Sequence, residues 1–285
     1  YNLPLEESVQ QWSANVVAKT AQSEGGIFLQ PKNKREFYVD TVEVSFPRRP
    51  EGAGMGILLQ EIAGGREDGL GITLVAGLVE GGAADGTNIL EGDSIVQVGV
   101  RRTGQQLQQQ DEGVFGGLSE VEDIVSVNTE CFGYDATVEA ILSLPPFQSA
   151  QEEFLVTVKR VRRKPKVRVN LQFPPEDERE DTTVELFSGE VLRQAMLTRG
   201  IKLNDPKAKR FDTKNEGNCG AGGLCTTCVV SVLRGGELLS PKRTQEQQML
   251  SDQPRWRLAC KSIVGYGMKE GELSIRVHPN QWADY

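Results

Sequence analysis

Apolar side chains recur along this chain at helical spacing in some stretches and in alternation in others. Near the start, Leu5, Val9, Trp12, Val16 and Thr20 stand three or four residues apart, which predicts one amphipathic helix across residues 5–20. That stripe needs a cover, either the protein's own surface or a partner. From Glu24 to Asp40 the pattern decays through Gly25-Gly26 and Pro31, as in an extended connector that wraps rather than folds. Val42 to Phe46 then alternates as a strand. Ile57 to Ile62 and Leu70 to Val79 flank a Gly-rich turn, a hairpin signal. Asn88 to Val98 reads as a turn feeding another strand. Asp135 to Leu144 carries Val138, Ile141 and Leu142 at helical spacing until Pro145-Pro146 stops it, and a last strand runs from Phe154 to Val161. The stretch between strand and helix, residues 101–132 with glutamines from Gln105 to Gln110, is too long and polar for an ordinary connection and predicts an insertion.

A second alternation of strands and helices begins after Pro165. Lys166 to Phe173 and Thr183 to Phe187 pair as strands, and Gly189 to Gly200 is helical through Leu192, Ala195 and Met196. Cys228 to Leu233, the turn Arg234-Gly235-Gly236, helical Thr244 to Leu250 and a closing strand Leu273 to Val277 follow. At roughly 100–200 residues per domain, 285 residues suit two domains of this kind. A charged fraction of 25% and an apolar fraction of 38% are globular values, so disorder throughout is excluded. No apolar run reaches the roughly 17–25 residues a membrane-spanning helix needs. No signal peptide is visible, and the chain starts at Tyr1 rather than Met, as expected where a targeting segment was removed ahead of it.

Charge separates the two parts. Residues 1–165 hold 14 basic and 24 acidic side chains and residues 166–285 hold 18 and 16, so a net −8 divides into −10 and +2. Seven basic residues lie between Lys159 and Arg168. Such a run is either a solvated linker or a patch attracting anionic headgroups at about 1 kcal/mol per charge, which leaves peripheral membrane association open. Nucleic acid is not expected, because the chain is acidic and no aromatic residues interleave these charges. With His278 as the one histidine, Rieske-type ligation, His-rich zinc sites and His-dependent triads lack their ligands or bases. No dinucleotide fingerprint is present either, because the Gly54-Met55-Gly56 and Gly69-Leu70-Gly71 runs do not open a helix in a βαβ unit. No catalytic residue is assigned on these grounds.

The sharpest signal is Cys219-Gly-Ala-Gly-Gly-Leu-Cys225-Thr-Thr-Cys228, a C-x5-C-x2-C run, followed by Cys260. A 2Fe-2S cluster takes four thiolates, and three on one loop can wrap it only if the backbone turns tightly and aims N–H groups at the sulfurs. Gly220, Gly222 and Gly223 permit that through positive φ, and Thr226 and Thr227 add donors around a buried negative group. Zinc also accepts four thiolates, but structural zinc sites usually present two separated C-x2-4-C pairs. Cys131 has no second cysteine near it and reads as an ordinary free thiol.

These motifs carry two resemblances. The order Gly54-Met55-Gly56-Ile57, hairpin, Gly81-Gly82-Ala83-Ala84, Gly92-Asp93, helix and final strand resembles a PDZ domain over residues 42–163. The resemblance implies a loop at Gly54, Met55, Gly56 and Ile57 that holds a partner's terminal carboxylate, with Thr137 and Ile141 facing the peptide. Gly69-Leu70-Gly71-Ile72 fits the same short pattern but leaves too little chain for two strands before Gly81. Either Tyr134 or Thr137 takes the first pocket position, and neither is histidine, so the ligand class stays open. Residues 166–285 resemble the plant-type ferredoxin domain, with Leu258-Ala259-Cys260 supplying the last ligand. The family's usual first interval is C-x4-C, and the extra residue here, with Leu238 to Pro241 and Trp256 to Cys260, is closer to ferredoxin-like subunits of chloroplast electron-transfer complexes. The expected fold is α+β in two domains: an N-terminal extension (1–41), a PDZ-like partly open barrel with two helices (42–163), and a ferredoxin-like β-grasp domain (166–285). The resemblance implies an iron-sulfur electron-transfer subunit tethered by its PDZ unit and N-terminal segment to a larger complex, on the stromal side of the chloroplast thylakoid. The cationic residues Arg210, Lys214, Arg257 and Lys261 near the ligands fit a fixed subunit better than a mobile acidic carrier. The rival is a scaffold or assembly factor whose metal is structural and whose PDZ groove binds a partner C-terminus.

Overall fold

The computed structural model describes residues 2–20, 25–50, 54–107, 118–208 and 219–282. It forms two compact units, Tyr1–Arg163 and Lys164–Tyr285, with an α+β composition in which strands predominate. Among the described residues no helix is long and apolar enough to cross a membrane.

The first unit begins with α1 (Leu5–Gln11), β1 (Trp12–Val17) and β2 (Gly26–Pro31), and β1 pairs antiparallel with β2. The single helix expected over residues 5–20 is therefore wrong beyond Gln11, and the expected connector contains a strand. The reason is pairing: β-branched Val16 and Val17 favour an extended backbone once Ile27 and Gly26 face them across the hairpin. The apolar stripe divides accordingly. Trp12 is buried with its indole N–H donating to Gly92 C=O at 3.0 Å, beside a Ser8 hydroxyl bond to the same carbonyl, whereas Val16 is 74% exposed. The N-terminal segment is thus built into the unit's own core with Leu29, Phe37, Leu74, Val96 and Val161. Trp12→Ala is expected to cost about 3–5 kcal/mol, read as a lower urea midpoint and as lost amide protection in β1 and β2. Unchanged protection would mean that the segment is only loosely attached.

Next come β3 (Phe37–Pro47), β4 (Ile57–Ala63), β5 (Ile72–Leu78), β6 (Ser94–Leu107), β7 (Leu118–Asn128), α2 (Tyr134–Leu142) and β8 (Glu153–Arg163). β3, β8, β6 and β7 form an antiparallel sheet in that order, and β4 and β5 form a separate hairpin. Phe46, Val75, Ile89, Val98, Val156 and Val158 fill the space they enclose. Within the stretch expected to be an insertion, residues 101–107 and 118–128 form the arms of a long hairpin that continues β6 and returns as β7; residues 108–117 lie outside the described residues. One of the two helices expected within residues 42–163 is missing among the described residues. Between β5 and β6 the chain turns instead, with Gly81, Gly86 and Gly92 at φ 70°, 73° and 87°, which a helix would not tolerate.

Part of the basic run is taken up by ion pairs within the first unit, while Lys166 and Arg168 stay exposed. On β8, Arg160 is buried and forks onto Asp93 at 2.7 and 2.8 Å, Lys159 pairs with Glu130, Arg162 with Asp40 and Arg163 with Glu7. Alternation along β8 places these cations beside acids brought in from other elements.

The second unit contains β9 (Lys166–Gln172), β10 (Thr182–Phe187), α3 (Leu192–Leu197), β11 (Val229–Arg234), α4 (Thr244–Met249), β12 (Trp256–Leu258) and β13 (Gly271–Val277). The sheet order is β10-β9-β13-β11-β12, with β9 and β13 parallel and the other pairs antiparallel. Val167, Val169 and Leu171 on β9, and Leu273, Ile275 and Val277 on β13, alternate inward. Leu192, Ala195 and Met196 give α3 one buried face against them. Gly200 at φ 73° ends that helix, and the Ile201 N–H reaches back to Met196 C=O at 2.9 Å.

Candidate metal centre

Two of the four clustered cysteines meet because two strands pair. Cys228 directly precedes β11 and Cys260 lies two residues beyond β12. Val229 faces Leu258 in the antiparallel register, and Ala259 N–H donates to Cys228 C=O at 3.0 Å. Their buried thiols lie close enough to shift each other's titration. The other two meet because the loop from Cys219 folds back on itself. Gly220, Ala221 and Gly223 stand at φ 58°, 68° and 79°, and Gly222 N–H closes onto Cys219 C=O at 3.0 Å. The positive φ expected at Gly222 falls on Ala221 instead. That fold brings the Cys219 thiol onto Cys225, and Leu224 N–H donates to Cys219 Sγ at 3.4 Å. The Thr227 hydroxyl stands 3.0 Å from Cys225 Sγ, and Thr226 turns the chain into β11 by accepting from Val229 N–H at 3.1 Å.

Side chains that no cysteine spacing reveals hold this arrangement. Asp205 is fully buried: its N–H bonds Thr227 C=O at 2.7 Å, and its carboxylate accepts from Lys207 N–H and from the Asn280 backbone and side chain. The base of the loop is thereby tied to the end of the unit. Glu246 on α4, also buried, accepts from Arg257 Nε at 2.8 Å and from Leu258 N–H at 2.7 Å, and Arg257 donates on to Ser240 C=O at 2.6 Å. Arg257 is therefore a buried structural cation, not part of the exposed charge expected around the ligands. Arg210 and Lys214, invoked for that charge, lie outside the described residues.

The thiols are biased unequally. Proximity to Cys228, against a desolvation cost and with help from the Lys261 and Arg193 charges, lowers Cys260 to about 7. The same proximity and burial push Cys228 up. Burial raises Cys219, but the Leu224 N–H and further donors from Cys225 and Gly223 outweigh it and leave the thiol low.

The donor set fits a binuclear centre. Tetrahedral zinc at about 2.3 Å from each sulfur requires four sulfurs mutually about 3.8 Å apart. The four thiols lie near one another, Cys219 beside Cys225 and Cys228 beside Cys260, with Cys225 also close enough to act on Cys228; all are free of disulfides, and N–H and hydroxyl groups reach Cys219 and Cys225.

In the first unit, Gly54, Met55 and Ile141 line one hollow of about 480 Å³ with Arg48, Arg49, Leu144 and Phe154. Gly56, at φ 74°, lies too close to Gly82 for a side chain, and its C=O accepts from Val79 N–H at 2.8 Å; Ile57 opens β4. Thr137 is not part of that hollow: it is buried in α2 with its hydroxyl unpartnered, and Tyr134 is exposed. Gly69 and Gly71 are engaged with Gly133 and Cys131. Cys131 is a buried free thiol that desolvation and Glu130 push up to about 11. At pH 8 it is expected to resist iodoacetamide in the native protein and to react on unfolding; rapid native labelling, read by mass spectrometry, would contradict that burial.

Residues 211–265 match the family described as the 2Fe-2S iron-sulfur cluster binding domain. Over 95 residues, 33% of this chain, the sequence is 37% identical to photosynthetic NDH subunit of subcomplex B 3, chloroplastic, of Arabidopsis thaliana. The chain spans 44% of that relative's length. Among solved structures it is similar to the ISC-like 2Fe-2S ferredoxin of Pseudomonas putida, with 22% identity and a TM-score of 0.31 over 40% of this chain and 91% of that one. Trichomonas vaginalis ferredoxin is 15% identical with a TM-score of 0.28, over 39% and 99%. The cofactor of this segment is a 2Fe-2S cluster.

Proposed function

We propose that the chain is an iron-sulfur electron-transfer subunit of a larger photosynthetic complex in the chloroplast, docked at the stromal side of the thylakoid. Cys219 and Cys225 would hold one iron and Cys228 and Cys260 the other. The observation that carries this reading is the apposition of four free thiols within the segment matching the cluster-binding family. The likeness to a chloroplast NDH subunit supports the compartment and the membership in a complex. When bound, the cluster accepts one electron at a time, gaining one negative charge with no bond made or broken. The chain's own part is to present thiolates, to aim Leu224 N–H and the Thr227 hydroxyl at them, and to exclude water at Cys225, Cys228 and Cys260. Dithionite is expected to bleach the visible absorption reversibly and to produce a reduced-state EPR signal. Iron that stays locked in one oxidation state would favour a structural role and the scaffold reading.

The first unit acts in this proposal as a PDZ-like docking module. The hollow between Gly54-Met55 and Ile141, with Arg48 and Arg49 at its rim and Phe154 at its base, suits a terminal carboxylate with an apolar side chain. Peptides with a free C-terminus are expected to bind at micromolar concentration by fluorescence polarisation, at least tenfold better than the amidated forms. Ile141→Asp is expected to remove that binding, and equal affinity for free and amidated ends would end the docking assignment.

A further inference from the structure

One side chain outside the four cysteines lies directly on their loop. Lys261 follows Cys260, and its backbone is fixed at both ends: its N–H donates to Leu258 C=O at 2.9 Å and its C=O accepts from the Ser240 hydroxyl at 3.4 Å. From there the side chain crosses Gly223. A Cβ built on Gly223 would stand 2.5 Å from Lys261 Cε and 3.4 and 3.5 Å from Cγ and Cδ. Gly223 is buried at φ 79°, so the lysine stem fills the space a side chain would need, and the glycine lets the backbone pass beneath it. Lys166 and Lys207 of the same unit pair with Glu185 and Glu176; the ion pairs among the described residues do not include Lys261. Packing rather than charge pairing therefore holds this cation in place.

We propose that Lys261 is a positioning residue for the cluster: its methylene stem straps the Cys219–Cys225 loop shut, and its unpaired ammonium is a fixed positive charge favouring the reduced state. The inference rests on the ligand assignment above. The two contributions separate chemically. Methionine keeps a long apolar stem without the charge, alanine removes both, and arginine keeps both.

The test uses the full holoprotein, with potentials from EPR-monitored dithionite titration and cluster retention from the decay of visible absorption in excess chelator. Lys261→Met is expected to lose cluster within twofold of the wild-type rate. Its equilibrium constant for reduction should fall threefold to tenfold, about 30–60 mV at 59 mV per tenfold. Lys261→Ala should show the same fall in potential and lose its cluster at least fivefold faster than Lys261→Met. Lys261→Arg should match the wild type in both. A Lys261→Met potential equal to wild type, or equal loss rates for the methionine and alanine variants, overturns the proposal. A wild-type protein that binds no cluster instead overturns the ligand assignment, so the two failures are distinguishable.

Discussion

Cys228→Ser is expected to leave the protein unable to retain a cluster, with visible absorption and bound iron down at least tenfold. The position is the most demanding of the four. Cys228 is buried where β11 begins, its C=O is taken by Ala259 N–H, and its thiol lies close to Cys260 across the strand pair. A serine hydroxyl there would be a harder donor that stays protonated near neutrality, and soft thiolates are what iron-sulfur sites select. Cys260→Ser should behave alike. Cys131→Ser, in the other unit, should retain full colour and iron. Iron retained by Cys228→Ser at wild-type levels would remove Cys228 from the ligand set.

The second large effect is expected from Glu246→Ala. This carboxylate is fully buried and answers both the Arg257 guanidinium and the Leu258 N–H, so truncation strands a buried cation and a buried amide together. Breaking such a pair from one side costs about 3–5 kcal/mol. For a domain of this size that cost lowers Tm by roughly 10–20 °C. Because Leu258 precedes Ala259 and Cys260, the variant should also lose its cluster sooner. Glu246→Gln keeps an acceptor for Leu258 N–H without the charge and should fall between. A Tm within a few degrees of wild type, measured by calorimetry on the apoprotein, would show that Arg257 finds another partner.

The cysteine run was legible because its chemistry is local: three thiols and the glycines that turn them occupy one loop. The strands of the second unit were legible for a related reason, since Val167, Val169 and Leu171, or Leu273, Ile275 and Val277, alternate strictly against one core. Where spacing fits two structures, long-range pairing decides. Leu5 to Thr20 has helical spacing, but Ile27 opposite Val16 converts its second half to strand. The same limit hid the polar supports. Asp93 and Arg160 are 67 positions apart, and Asp205 and Asn280 75, so nothing in the chain order couples them. Arg257 read as surface charge because its partner Glu246 sits on another element, α4. Gly81, Gly86 and Gly92 at positive φ turn the chain between β5 and β6, where the expected barrel's second helix does not form.

Cys219, Cys225, Cys228 and Cys260 would together hold a 2Fe-2S cluster. Quantifying iron, zinc and acid-labile sulfide in anaerobically isolated protein tests it most directly. The account predicts about two irons and two labile sulfides per chain with no stoichiometric zinc; one zinc per chain, or iron without labile sulfide, would contradict it.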